Sequence, residues 1–232
     1  MKFINNKTKF LIFLSLLLLL PTALRAQNVD PGEDPNNPYI KKILLIGDSM
    51  TGWLGMRLQA YGEVNGFEVA TVYQDGSTVQ KWATTDRLRQ TLEEYDPDLV
   101  FVSLGGNNLF ESNPQRNLND HVNKILNTIG DRPYIWIGPT SWQTRQGGEI
   151  LVEWLKEKHG EGNFFDSFDL KIERLSRSNV HPTKKGSIYW MEQFLDWIWN
   201  ETDLNFKSLD SPGPDAVSKG PIFIYKRMKE TL

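Results

Sequence analysis

Five short apolar runs, at residues 43–46, 67–72, 99–104, 134–137 and 164–168, most constrain what this chain can become. They are apolar almost without interruption, the last more weakly so. A strand with no polar face must be covered on both sides. Between the runs, residues 54–64, 84–95, 117–129 and 149–159 place apolar side chains at helical spacing, as Leu88, Leu92 and Tyr95 do. Thr84 or Thr85 stands where the second of these helices needs a cap. A last helix is expected over 184–200, with Tyr189, Trp190, Phe194, Leu195, Trp197, Ile198 and Trp199. Strand alternating with helix implies an α/β fold: a three-layer α/β/α sandwich around a central five-stranded parallel sheet. The sequence has no internal repeat, and one domain is expected over 41–200.

The ends read differently. Lys2, Lys7 and Lys9 precede an apolar run at 10–20, and Pro21 and the small Ala26 follow. This pattern reads as a secretory signal over 1–26, cleaved after Ala26, and implies a periplasmic or extracellular protein. The run is too short to span a bilayer comfortably, which favours cleavage over the alternative of a retained N-terminal anchor, and no membrane association is expected after cleavage. Residues 27–40, rich in Pro, Asn and Asp, form an exposed lead-in. Residues 201–232 fall outside the alternation. They hold a turn-rich break at 210–216 and a short apolar strand at 222–225, placed either on a sheet edge or against the surface, with no role assigned.

Removing 1–26 takes away Lys2, Lys7, Lys9 and Arg25 and no acid, leaving 22 basic against 29 acidic residues, a net charge of −7. That disfavours nucleic acid as a partner. The chain has no cysteine, so neither a disulfide nor a lipobox-type anchor is available. Three scattered histidines and no cysteine make a zinc site improbable. Neither metal nor cofactor is implied.

In an open parallel sheet, ligands bind outside the carboxyl ends of the strands. The residues just past the five runs are Gly47-Asp48-Ser49, Tyr73-Gln74-Asp75-Gly76-Ser77, Gly105-Gly106-Asn107-Asn108, Gly138-Pro139-Thr140-Ser141-Trp142, and a loop ending in Ser178-Asn179-Val180-His181-Pro182. One rim thus gathers a serine, glycines with free N–H groups, an asparagine and a histidine. Those are the parts of an acyl-transfer site.

Four of these blocks, in order, resemble those of the SGNH hydrolases, the GDSL-type esterases, over roughly residues 42–199. The resemblance implies a flavodoxin-like SGNH hydrolase fold. It implies Ser49 as nucleophile and His181 as base, with an oxyanion hole from the N–H groups of Ser49 and Gly76 and the side-chain amide of Asn107. Two positions depart from the family pattern. Asn108 stands where an aspartate is common. Ser178 stands three residues before His181, where the family usually has the aspartate that orients the imidazole. Orientation by the Ser178 hydroxyl or a backbone carbonyl, by a carboxylate from elsewhere (Asp166, Asp169 or Glu173), and loss of turnover all stay open.

Each residue also has a plainer reading. Ser49 alone would be a helix N-cap, and Gly76, Asn107 and Asn108 turn residues. Asp48 is expected to tie down its loop through backbone N–H groups. His181, before Pro182, is held extended ahead of a helix whose first turn begins near Pro182. His121 and His159 are expected to be solvated or capping, and Trp136, Trp190, Trp197 and Trp199 core. Trp53, Trp82 and Trp142 follow rim loops and are either sugar-stacking faces or loop anchors. Arg145 is the rim cation, either meeting a substrate carboxylate or solvated. The expected activity is an exported serine esterase acting on a small-molecule or polysaccharide ester, first on O-acetyl groups of carbohydrate or peptidoglycan. A short-chain acyl esterase or lysophospholipase, and a non-catalytic carbohydrate-binding protein, are the alternatives. Oligomeric state is left open.

Overall fold

The computed structural model describes residues 34, 37–142, 145–176, 179–218 and 222–224. The expected signal segment, most of the lead-in, and Ser178 lie outside the described residues.

In chain order the elements are β1 (Lys42–Gly47), α1 (Thr51–Asn65), β2 (Glu68–Tyr73), α2 (Val79–Thr84), α3 (Arg87–Tyr95), β3 (Leu99–Ser103), α4 (Pro114–Asn117), α5 (Asn119–Ile129), β4 (Tyr134–Ile137), α6 (Glu149–His159), β5 (Phe164–Phe165), β6 (Arg174–Ser176), β7 (Asn179–Pro182), α7 (Lys184–Glu201) and β8 (Ile222–Ile224). The five apolar runs become β1 to β5, parallel throughout, in the order β5-β4-β3-β1-β2. Alternate residues of β1 feed the two faces. Leu44 and Ile46 pack with α2, α3, α5 and α6; Ile43 and Leu45 pack with α1 and α7. This is the expected three-layer sandwich.

The sheet gains a sixth strand. β8, from the chain's C-terminal stretch, lies parallel beside β2. The residues leading to it are strapped across the α1–α7 face. Arg57, only 1% exposed, donates from Nη1 to the Gly213 and Ala216 carbonyls, each at 2.7 Å, and from Nε to Glu192 at 2.7 Å. Tyr61 donates its hydroxyl to the same Glu192 at 2.6 Å. Asn65 accepts from the Asp210 N–H at 2.7 Å and donates to the Asp210 carbonyl at 2.9 Å. Of the two placements expected for the apolar strand at 222–225, its described residues 222–224 take the sheet edge.

The helix between β2 and β3 is two. Thr78 caps α2, its hydroxyl accepting from the Lys81 N–H at 3.3 Å. Thr85 ends α2, and Asp86 precedes α3 without a side-chain cap. Neither Thr84 nor Thr85 is the expected N-cap. Thr183, not Pro182, opens α7, accepting from the Gly186 N–H at 3.0 Å. Among the described residues no helix is long and apolar enough to cross a membrane.

Candidate active site

Strand order reverses at β1: β2 lies on one side of it and β3 on the other. The crevice past the ends of β1 and β3 is where such sheets take ligands. Gly47 makes the exit from β1 possible. A Cβ there would stand 2.5 Å from the Ser103 carbonyl and 1.9 Å from Thr51 Oγ1, well inside contact distance. The chain then turns at Asp48 and presents Ser49.

Ser49 and His181, 132 positions apart, meet. Ser49 Oγ stands 2.8 Å from His181 Nε2. Ser49 is not the N-cap of α1. That place falls to Met50, which makes no side-chain cap, so the hydroxyl is left for the imidazole. It still sits at the helix's positive end, which favours negative charge developing on Oγ.

Asp48 holds the loop, as expected. It is buried, and its Oδ1 accepts from the Met50 N–H at 3.0 Å. Burial, more than anything else, pushes its carboxyl up to about 7; the Asp75 charge adds, and the Met50 and Gly106 N–H groups oppose.

Of the expected oxyanion donors besides Ser49 itself, Gly76 and Asn107 lie in the loops that follow β2 and β3, the strands on either side of β1. Gly76 is exposed at φ +65° in the turn after β2, a left-handed conformation that suits glycine. Among the described residues the Ser49 and Gly76 N–H groups have no hydrogen-bond acceptor. Asn107, in a short 3₁₀ turn after β3, donates from Nδ2 to the Ser77 carbonyl at 2.8 Å. An amide has a second N–H on that nitrogen. The bond therefore fixes the Asn107 group against the Gly76 turn without using it up. Asn108 is structural: Oδ1 accepts from the Val79 N–H at 3.0 Å and Nδ2 donates to Gln80 at 2.9 Å.

His181 lies in β7, ahead of α7. Of the carboxylates considered for orienting it, Asp166 is exposed and accepts from the Phe168 N–H at 3.1 Å, and Asp169 is exposed. Glu173 accepts from the Thr183 hydroxyl at 2.9 Å.

The rim aromatics separate. Trp53, in the first turn of α1, is 40% exposed. Trp82 is a buried anchor rather than a binding face. Its Nε1 donates to the Gly47 carbonyl at 3.2 Å and to Ser77 Oγ at 3.1 Å, joining the Ser49 and Gly76 loops. Trp142 is half-buried, edge-on to Phe110 with ring centres 5.1 Å apart. Arg145 is exposed, its guanidinium 3.7 Å from the centre of the same Phe110 ring, a cation–π contact. Phe110 and Arg174 belong to no motif and to no apolar period, so no sequence signal marks them.

Two expectations away from the rim fail. His159 is buried, stacked on Trp136 with ring centres 4.7 Å apart, and its Nδ1 lies 3.1 Å from the Tyr134 hydroxyl. Burial drives it down to about 3, so it is a neutral core ring. Trp199 is 57% exposed, not core, although Trp136 and Trp190 are buried. Among the described residues no group of three or more His, Cys, Asp or Glu could hold a metal ion.

No protein-family model and no curated protein matches the sequence. Solved structures do match. One is a protein assigned to the G-D-S-L family from Desulfitobacterium hafniense, 19% identical, TM-score 0.50, covering 66% of this chain and 96% of that one. The fold is that of the SGNH hydrolases. A second match is the catalytic domain of the Streptococcus pneumoniae peptidoglycan O-acetyltransferase, 14% identical, TM-score 0.51, covering 70% and 97%. A third is a gut microbial diltiazem-metabolizing enzyme, 13% identical, TM-score 0.52, of which this SGNH-like chain spans about half, 48%. At these identities the likeness is one of fold.

Proposed function

We propose that this chain is an exported serine esterase that uses Ser49 as nucleophile and His181 as general base. The observation that supports this reading is the 2.8 Å approach of Ser49 Oγ to His181 Nε2; among the described residues the Ser49 and Gly76 N–H groups, in loops after neighbouring strands, have no acceptor. As Oγ attacks the acyl carbon, its proton passes to His181 Nε2. The carbonyl oxygen, now an anion, is held by the Ser49 and Gly76 N–H groups and the second Asn107 N–H. Collapse expels the alcohol, which takes the proton back from His181 and leaves an acyl group on Ser49. Water then attacks the acyl carbon, giving its proton to His181, and the acid leaves as Ser49 regains its own.

The substrate class favoured is an O-acetyl ester on a carbohydrate or peptidoglycan. Exposed Trp53 and the Phe110–Trp142–Arg145 group suit sugar rings better than a long acyl chain, and one match of the same fold is a peptidoglycan O-acetyltransferase. The test compares wild type, Ser49→Ala and His181→Ala on p-nitrophenyl acetate, its longer-chain homologues and acetylated xylan. Wild type is expected to exceed both variants by on the order of 10⁴-fold and to prefer acetyl. Equal background release from all three would remove the enzyme reading and leave the non-catalytic one.

A further inference from the structure

His181 sits on a hairpin with a fault in it. β6 and β7 run antiparallel, with Arg174 opposite Pro182 and Ser176 opposite Asn179. One residue, Leu175, lies between those partners on β6; two, Val180 and His181, lie between them on β7. Two against one is a β-bulge, which bends its strand, re-aims a side chain and breaks the local ladder. The carbonyl just ahead of His181 is therefore in the part of the ladder that the bulge disrupts.

The Arg174 side chain supplies its donor. Nη1 donates to the Val180 carbonyl. Nη2 donates to Thr140 Oγ1 at 2.9 Å and to the Ser141 carbonyl at 2.6 Å. Thr140 and Ser141 belong to the loop that leaves β4, a strand of the main sheet. One rigid fork thus spans from the peptide before His181 to the sheet that carries Ser49. All three acceptors are neutral. Among the described residues no carboxylate pairs with Arg174, and partial burial lowers its pKa. A half-buried cation among neutral acceptors is costly. Its planar fork is what a flexible lysine could not reproduce.

We propose that Arg174 is a positioning residue for His181, fixing the Val180 carbonyl against the Thr140–Ser141 loop so that the imidazole stands within reach of Ser49. This rests on the Ser49–His181 reading, and it adds a backbone tie where Ser178 replaces the family's usual aspartate.

The test uses the full chain with Arg174→Ala and Arg174→Lys, read by p-nitrophenyl acetate kinetics, thermal unfolding and a crystal structure of Arg174→Ala. Misplacement of the base predicts a fall in kcat of on the order of 10²-fold for Arg174→Ala, with KM little changed. Arg174→Lys should fall between that variant and wild type, since an ammonium cannot span the acceptors. Added guanidinium at low millimolar concentration should restore part of the Arg174→Ala rate. Its structure should show Ser49 Oγ and His181 Nε2 beyond hydrogen-bond reach, over about 3.5 Å. An unchanged kcat, or a loss that only follows unfolding and is not rescued, would overturn the proposal. So would a pair still in contact, even if wild type itself proved inactive; that inactivity would instead remove the esterase reading.

Discussion

The serine and histidine halves of the pair are carried by unlike parts of the molecule. Ser49 follows β1, a strand hydrogen-bonded on both sides, with residues 43–46 fully buried and six matched positions against β2. His181 follows no such strand. It lies on a hairpin of three and four residues outside the main sheet, bulged, with Leu175 61% exposed on the facing strand. Buried parallel pairing over-determines the position of the serine. The histidine depends on that short ladder and a few ties: Arg174 to the β4 loop, and Thr183 to Glu173 through both its N–H and its hydroxyl. Damage on the serine side should therefore cost stability and activity together, while damage on the hairpin should cost activity first.

Gly47→Ala tests the serine side most severely. The added Cβ meets the Ser103 backbone, which has no rotamer to yield. A loss of about 1–3 kcal/mol is expected in urea unfolding, with a parallel loss of hydrolysis. A variant as stable as wild type but inactive would show that β1 is less rigidly set than its burial implies.

A smaller effect is expected from Asp48→Asn. The carboxyl's ordinary value is 3.8, and in the folded chain it stands at about 7. Between those values the folded chain holds a proton that the unfolded chain has lost. Stability from this group therefore falls as pH rises from about 4 towards 7, and stays lower above that. Asp48→Asn should gain on wild type at pH 8 relative to pH 5, read from urea midpoints. His159, held near 3 against 6.5, acts in the opposite direction, losing stability as pH falls below its unfolded value. The difference between Asp48→Asn and wild type isolates Asp48. A constant difference across pH would mean that the serine loop is more open to water than its burial implies.

The same contrast explains what could be read from the sequence. β4 and α6 fall where the runs and spacing place them, because long apolar patterns are decided by burial alone. Ser49 and His181 were legible because a motif sits at each end of that pattern. The hairpin was not. Residues 174–182 have no apolar alternation, and a bulge breaks what period there is, so nothing in the sequence singles out Arg174. α2 has six residues, too few to show a helical period, so the sequence alone does not decide between a stacking face and a loop anchor for Trp82, which the structure makes an anchor. Trp199 failed for the opposite reason. It follows Ile198, the last inward position of α7, and one step round the helix turns it to solvent. β8 was legible only as a short apolar run, since its pairing with β2 is a contact across 151 positions that no local signal carries.

Under the proposed function, Ser49 is a nucleophile made reactive by His181. Phosphonylation by p-nitrophenyl ethylphosphonate, followed by intact mass and peptide mapping, tests it without any assumption about the natural substrate. One adduct per chain is expected in wild type, on Ser49, with labelling slowed by orders of magnitude in His181→Ala. No adduct, an adduct on another residue, or equal labelling of wild type and His181→Ala would contradict it.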